Sequence, residues 1–368
     1  MRYWRALLLL AAACGGTDLP VRIGLAGPFS DPVGAPMRRA AELAVSEINA
    51  TGGINGRPIE LVARNDAGDP DSAIRVATGL VANEVVAVIG HVYSGTTLAA
   101  APIYGAGSDP IPVLTPSSSA PEVAQAGHHV FRLCPTDLEH GAALATWLRR
   151  GLGLGRGAVL YLDNPYGRGI RQSFVARFQA LGGTILSVDP YLGAAPDVGL
   201  YLDRLARQEA AEFLVVAGNR EDAEVILAQV RARGMTMPVV GGDGLEGIET
   251  AGDIAEGVYL TAAYLPTVNT PENRRFVAAY RSRYPDAGLP NQPAAATYDA
   301  FYLLRDLLGS GRVTRRALLE ALETLGEARP PYQGVTGLLG FDGEGDLART
   351  PVLIGTVQNG LIRPVERK

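Results

Sequence analysis

The chain has 368 residues, of which 47% are hydrophobic and 19% charged, with a net charge of -5 and a sequence pI of 5.5. This composition excludes a disordered chain, and the length suits two lobes better than one small domain. With no basic stripe, nucleic acid is not an expected partner.

The first residues, Met1-Arg2-Tyr3-Trp4-Arg5, are basic, and Ala6 to Ala13 form an apolar run far short of the roughly 20 residues that span a bilayer. The run ends at Cys14, followed by Gly15, Gly16 and Thr17. Residues 1–17 therefore read as a signal segment with two possible fates. Small residues before a cysteine resemble the lipobox of bacterial lipoproteins, which would attach a lipid at Cys14 and tether the protein to a membrane. Ala11 stands where that motif usually has Leu, so ordinary cleavage after an Ala-x-Ala site is the alternative. No other apolar run is long enough for a membrane span. With Cys14 lipidated or removed, Cys134 is alone, and its setting in Val130-Phe131-Arg132-Leu133 reads as a buried strand with a small hydrophobe at its end.

From residue 21 the pattern alternates. Strands are expected over 21–26, 59–63, 85–89 and 111–114, with helices over 37–49 and 96–106 and another capped by Asp66-Ala67-Gly68-Asp69-Pro70. A second series starts at Asp137: helices over 137–150, 166–181, 197–208 and 220–233, and strands over 158–162, 184–188, 213–217 and 238–241. The glycines of 151–157 precede a strand instead of following one, so they mark a turn and not a dinucleotide fingerprint. After a strand over 258–262 come helices over 271–284, 294–309 and 314–324, then β segments over 334–341 and 352–357. The sequence Asp342-Gly343-Glu344-Gly345-Asp346 lacks the glycine and closing Glu of a calcium loop and reads as a hairpin turn. The pattern predicts an α/β fold of two doubly wound parallel-sheet lobes, with a tail that returns to complete both sheets.

Two loops carry the chemistry. Thr115-Pro116-Ser117-Ser118-Ser119-Ala120-Pro121 follows an apolar strand, and its prolines bar a helix interior. The strand at 85–89 runs into Gly90-His91-Val92-Tyr93-Ser94-Gly95-Thr96-Thr97. Free amides and hydroxyls at strand carboxyl ends suit a carboxylate, though helix caps would use the same residues. No Gly-x-Ser-x-Gly elbow or His-Glu-x-x-His pair is present, so hydrolysis, a resident metal and a cofactor are not expected. His91 reads as a structural residue beside the loop.

Several pieces in this order resemble the periplasmic leucine/isoleucine/valine-binding protein family of ABC importers. They are Ala41-Glu42-Leu43-Ala44-Val45-Ser46-Glu47-Ile48-Asn49-Ala50 with Gly52-Gly53-Ile54-Asn55-Gly56; Asp66-Ala67-Gly68-Asp69-Pro70; Val88-Ile89-Gly90-His91 with Ser94; Pro116 to Glu122; Tyr166-Gly167; Gly241-Gly242-Asp243-Gly244; and Tyr298-Asp299-Ala300. The resemblance implies two lobes joined by three crossing segments near Pro135, Tyr264 and Ala348. It places one lobe over 18–135 and 265–347 and the other over 136–264 and 348–368. It also implies a periplasmic location, a permease and ATPase as partners, and an amino acid held in the cleft.

Residue by residue, the resemblance puts Ser94, a backbone group of Ser117 and the hydroxyl of Ser119 at the ligand carboxylate, with Ser118 beside them. It puts Asp243 at the ammonium and Tyr166 on the cleft wall. Val33 stands where relatives often have an aromatic residue, and Asn219 where they often have tyrosine; with Tyr93, Tyr264, Arg220 and Glu221 these imply a roomier or more polar side-chain pocket. Gly68 and Tyr93 replace a cysteine pair of some members. The same fold also serves as a freestanding amide or small-carboxylate sensor, which is the alternative function.

Overall fold

Strands covered on both faces send successive side chains into opposite layers. The computed structural model, which describes residues 19–193, 196–208, 211–348 and 352–365, shows this first in β1 (Val21–Gly27). Val21, Ile23 and Leu25 enter one apolar cluster and Ala26 the opposite one. There follow α1 (Gly34–Ala50), β2 (Ile59–Asn65), α2 (Pro70–Ala82), β3 (Ala87–Ile89), α3 (Ser94–Tyr104), β4 (Val113–Thr115) and β5 (Val130–Arg132). Their strands form a parallel sheet in the order β2-β1-β3-β4-β5. Met37, Ala41, Ala44 and Ile48 of α1 cover one face, while α2 and α3 cover the other with Ala73, Ala77, Leu80 and Ala100. The residues before α2 act as expected: Asp69 accepts the Ser72 N–H at 2.8 Å, and Pro70 opens the helix.

The second series begins with α4 (Asp137–Thr146), which is fastened by a reciprocal cap. Thr136 N–H donates to Glu139 at 2.7 Å, and the Thr136 hydroxyl accepts the Glu139 N–H. A π-helical turn (Trp147–Gly151) ends it where a continuous helix to 150 is expected from sequence. Then come β6 (Arg156–Leu162), α5 (Pro165–Ala180), β7 (Thr184–Tyr191), α6 (Gly199–Gln208), β8 (Phe213–Ala217), α7 (Arg220–Ala232), β9 (Val239–Gly241) and β10 (Tyr259–Ala262). In β8, Phe213 and Val215 meet Phe174 and Phe178 of α5, while Leu214 and Val216 meet Ile226 and Leu227 of α7. The chain then returns to the first lobe. There α8 (Pro271–Arg283), α9 (Gln292–Gly309) and α10 (Arg315–Glu323) follow, with α9 packed along α1 and Phe301 and Leu304 in the core.

The tail corrects one expectation. Instead of strands for both lobes, the segment over 332–339 makes only a small hairpin of its own, β11 (Tyr332–Gln333) with β12 (Leu338–Leu339). Next, Phe341 bridges Leu347 across the expected turn, and the Gly345 carbonyl accepts the Arg132 N–H at 2.8 Å beside β5. A turn meets that sheet edge, and not a ladder, because Gly345 sits at φ +78° with the Val130 carbonyl 2.4 Å from where a Cβ would be. The remaining strands, β13 (Leu353–Gln358) and β14 (Leu361–Pro364), join the second sheet antiparallel, giving β14-β13-β10-β9-β8-β6-β7.

Smaller differences have local causes. The strand expected over 111–114 is β4, two residues later at its start, because Pro110 and Pro112 cannot donate to a ladder. The strand expected from 85 begins at Ala87, and the helix expected from 96 begins at Ser94. The signal segment and Cys14 lie outside the described residues. Cys134 is buried and free, and burial pushes its thiol up, as suits a packing residue.

Strand order places the site. In the first sheet β1 lies between β2 and β3, and in the second β6 lies between β7 and β8, so the winding reverses next to each lobe's first strand. The loops that leave such a reversal diverge and open a crevice at the carboxyl ends of the strands.

Candidate functional site

The two crevices face each other and enclose a cavity of about 530 Å³. The first lobe lines it with Asp31 and Val33 after β1, Tyr93, Ser94, Gly95 and Thr96 at the start of α3, and Ser117 after β4. The second lobe contributes Asn164 to Tyr166 after β6, Asn219 to Asp222 after β8, Asp243, Gly244 and Glu246 after β9, and Ala262 to Tyr264 after β10. Of the residues expected from sequence, Val33, Tyr93, Ser94, Ser117, Tyr166, Asn219, Asp243 and Tyr264 meet here.

Ser118 and Ser119 are not among the described lining residues. The Ser118 hydroxyl faces back into the loop scaffold, 2.7 Å from that of Thr97 and 3.2 Å from the His91 carbonyl. Ser119 is fully buried beside Asp137, whose N–H donates to the Ser119 carbonyl at 2.8 Å. The Ser118 hydroxyl braces the loop from behind, and the Ser119 carbonyl does so through the Asp137 N–H. His91 does the same: it is fully buried, with Nδ1 2.5 Å from Asp66 and Nε2 3.1 Å from the Tyr104 hydroxyl.

One wall donates hydrogen bonds. Because α3 begins at Ser94, the amides of its first turn have no acceptor within the helix and point at the cavity with the positive end of the helix dipole. The Ser94 hydroxyl accepts the Ala120 N–H at 3.1 Å, which leaves its own hydrogen to donate. The opposite wall accepts. The Tyr166 hydroxyl donates to Asp243 at 3.0 Å and accepts the Gly244 N–H at 2.7 Å, so it locks the turn that carries the carboxylate. Nε2 of the buried His140 lies 3.6 Å from the other Asp243 oxygen, and its Nδ1 is held 2.8 Å from the Thr261 hydroxyl. Glycine is required around this lock, since a Cβ at Gly242 would come within 2.4 Å of the Tyr166 hydroxyl. Burial, then the charge of Asp243, pushes the Tyr166 phenol well up, so it stays a donor. The same two causes raise Asp137. Tyr166→Phe should weaken binding about tenfold, the scale of one hydrogen bond to a charged group, and should also lower the unfolding midpoint, because the Gly244 N–H loses its acceptor; calorimetry on the variant checks this, and an unaltered affinity would contradict it.

The remaining walls set the side-chain environment. Tyr93 lies over Gly68 and donates to Asp31 at 2.9 Å. Arg220 is tied to Glu221 at 2.7 Å and Glu224 at 2.5 Å. The Asn219 side chain makes no cap hydrogen bond to its own helix. Tyr264 presents its ring, its hydroxyl being spent on Asn273 at 2.7 Å.

The sequence reading missed two residues. Glu246 follows Asp243 by one turn and accepts the Gln292 N–H at 2.9 Å across the cleft, at the start of α9. Gln292 lines the cavity beside it. The cap signal Asn291-Gln292-Pro293 was readable, but its approach to the β9 loop depends on the fold. Burial raises the Glu246 carboxyl from 4.5 to about 8. Between these values the folded, ligand-free protein holds a proton that the unfolded chain has lost. This contribution to stability is complete below about pH 4.5 and declines as pH rises through about 8. Urea titrations across that range should show a decline that Glu246→Gln flattens; parallel curves for the two proteins would contradict it.

A family model described as periplasmic binding protein matches residues 20–360. A relative from Brucella abortus (strain 2308), named Leu/Ile/Val-binding protein homolog 2, is 27% identical over 355 residues, covering 94% of this chain and 93% of that one. The chain belongs to the Leu/Ile/Val-binding family of periplasmic binding proteins. Members of this family bind solutes in the periplasm and are not enzymes. The branched-chain amino acid transporter substrate-binding protein of Streptococcus pneumoniae, solved in complex with isoleucine, superposes on this periplasmic binding protein with a TM-score of 0.84 at 26% identity, covering 94% of this chain and 99% of that one. The solute-binding protein of Rhodopseudomonas palustris BisB5, solved with 3,4-dihydroxy benzoic acid, shares the fold at a TM-score of 0.83 and 22% identity, covering 95% and 96%.

Proposed function

We propose that this periplasmic binding protein captures a free α-amino acid in its interlobe cavity, without chemistry, and delivers it to an ABC permease and its ATPase. The observation that carries the reading is Asp243, held by Tyr166 on the wall opposite the amides of α3. A zwitterion needs donors for one end and a carboxylate for the other. A benzoate-type ligand, as in the Rhodopseudomonas palustris neighbour, would leave Asp243 desolvated beside an anion. A freestanding sensor of the same fold is the second reading, and the acceptor wall bears on it equally.

The lobes are assigned as 18–135 with 265–347 and 136–264 with 348–368, and the crossings near Pro135, Tyr264 and Ala348 act as hinges. Ligand should close the lobes, as such hinged pairs do. Small-angle scattering should show compaction with a saturating L-amino acid; an unchanged radius of gyration would count against the hinge assignment. Residues 1–17 are assigned as a signal segment with lipid attachment at Cys14. Metabolic labelling with palmitate should mark the wild type and not Cys14→Ser, and an unlabelled wild type would remove the anchor.

A further inference from the structure

The amino-acid reading leaves one end of the cavity unused. Glu246 spends one carboxyl oxygen on the Gln292 N–H, and its other oxygen has no partner among the described residues. Gln292 is 4% exposed and donates through Nε2 to the Pro116 carbonyl at 2.7 Å. That contact fixes which way the amide points, because a carbonyl accepts only from the nitrogen. The Gln292 Oε1 is consequently a buried acceptor with nothing to accept from. A buried acceptor of this kind, next to a half-used carboxyl, is costly unless something donates to it.

The rest of the lining tilts the same way. Asp31, Glu221, Asp222, Asp243 and Glu246 all border the cavity, and among the described lining residues Arg220 is the sole cation, already engaged by Glu221 and Glu224. Asp31 already accepts from Tyr93, and Glu221 pairs with Arg220, but the half-used carboxyl of Glu246 would lose water to an aliphatic side chain with no donor in exchange.

We propose that Glu246 and Gln292 form a second subsite that holds a nitrogen-bearing side chain, so that the ligand is an α-amino acid ending in an ammonium, guanidinium or carboxamide group. The subsite rests on the amino-acid reading: α3 and Ser117 take the carboxylate, Asp243 takes the α-ammonium, and the side-chain nitrogen reaches the pair at the start of α9. One N–H group donates to the unused Glu246 oxygen and another to Gln292 Oε1, which satisfies the orphaned amide oxygen. Binding an ammonium or guanidinium there would release the proton that burial holds on Glu246.

Paired probes test this by titration calorimetry on the full protein. L-Lysine is compared with L-norleucine, which lacks the terminal amine, and L-glutamine with L-methionine, of similar length. At least one nitrogen-bearing member should bind about tenfold or more tightly than its aliphatic partner, the ratio one charge-assisted hydrogen bond supplies. Glu246→Gln keeps an acceptor for the Gln292 N–H and should cut that ratio about tenfold, with its fold checked by urea unfolding. If the aliphatic partners bind as tightly or more tightly, or if Glu246→Gln leaves the ratio unchanged, the subsite is wrong while the amino-acid reading stands. If none of the four binds but a benzoate does, the amino-acid reading itself is wrong and the subsite falls with it.

Discussion

Replacing Asp243 with alanine should weaken ligand binding roughly thirtyfold or more. An ammonium buried against a carboxylate loses about 2–5 kcal/mol when that partner is removed, because the remaining charge stays desolvated. Asp243 is well placed for such a loss. Its side chain is 13% exposed, it is oriented by the Tyr166 hydroxyl, and it stands opposite a wall of donors. Asp243→Asn separates charge from shape: it keeps a hydrogen-bonding group of the same size and should still lose most of the affinity. Calorimetric Kd values for both variants, with urea midpoints near wild type, are the expected result. Unchanged binding in Asp243→Ala would make Asp243 a turn residue that merely anchors Tyr166 and the Gly244 amide.

The second large effect concerns stability. Arg132→Met should destabilise the fold by about 3–5 kcal/mol, the usual cost of stripping one partner from a buried ion pair. Arg132 is 1% exposed and grips Asp346 through two hydrogen bonds, at 2.5 and 2.8 Å, while its third nitrogen donates to the Ala120 carbonyl at 2.6 Å. The pair joins the end of β5 to the turn over 342–346, and Arg132 also ties both to Ala120 in the loop after β4. Urea unfolding should show a lowered midpoint with an unchanged slope. The double variant Arg132→Met, Asp346→Leu should recover part of the loss, because it removes the orphaned carboxylate. A loss under about 1 kcal/mol in Arg132→Met would contradict a structural role for the pair.

The layer pattern was legible because burial on both faces writes uninterrupted apolar runs, such as 213–217, and caps write fixed residue types, such as Asp69-Pro70. Asp243 and Ser94 were legible through resemblance, and local physics supports both: glycines flank one, and the other opens a helix. What the sequence hid was relational. Nothing local shows that Ser118 and Ser119 face inward, since free hydroxyls in a loop look alike until Thr97, His91 and Asp137 are packed behind them. Glu246 and Gln292 are separated by 46 positions and meet only because the chain returns to the first lobe before α9. The tail was misjudged for a similar reason. The turn over 342–346 reads correctly, but the strand expected over 334–341 folds back on Tyr332–Gln333 through Gly337, at φ +125°, and so never reaches the first sheet.

The central claim is that the cavity holds a zwitterion between the α3 amides and Asp243. One titration tests it most directly: the tightest-binding L-amino acid against the carboxylic acid of the same skeleton lacking the α-amine. The account predicts that loss of the amine weakens binding at least thirtyfold in the wild type, about the loss expected for Asp243→Ala, and that the acid binds Asp243→Ala no worse than it binds wild type. Equal affinity of wild-type protein for the amino acid and its amine-free counterpart would contradict the claim.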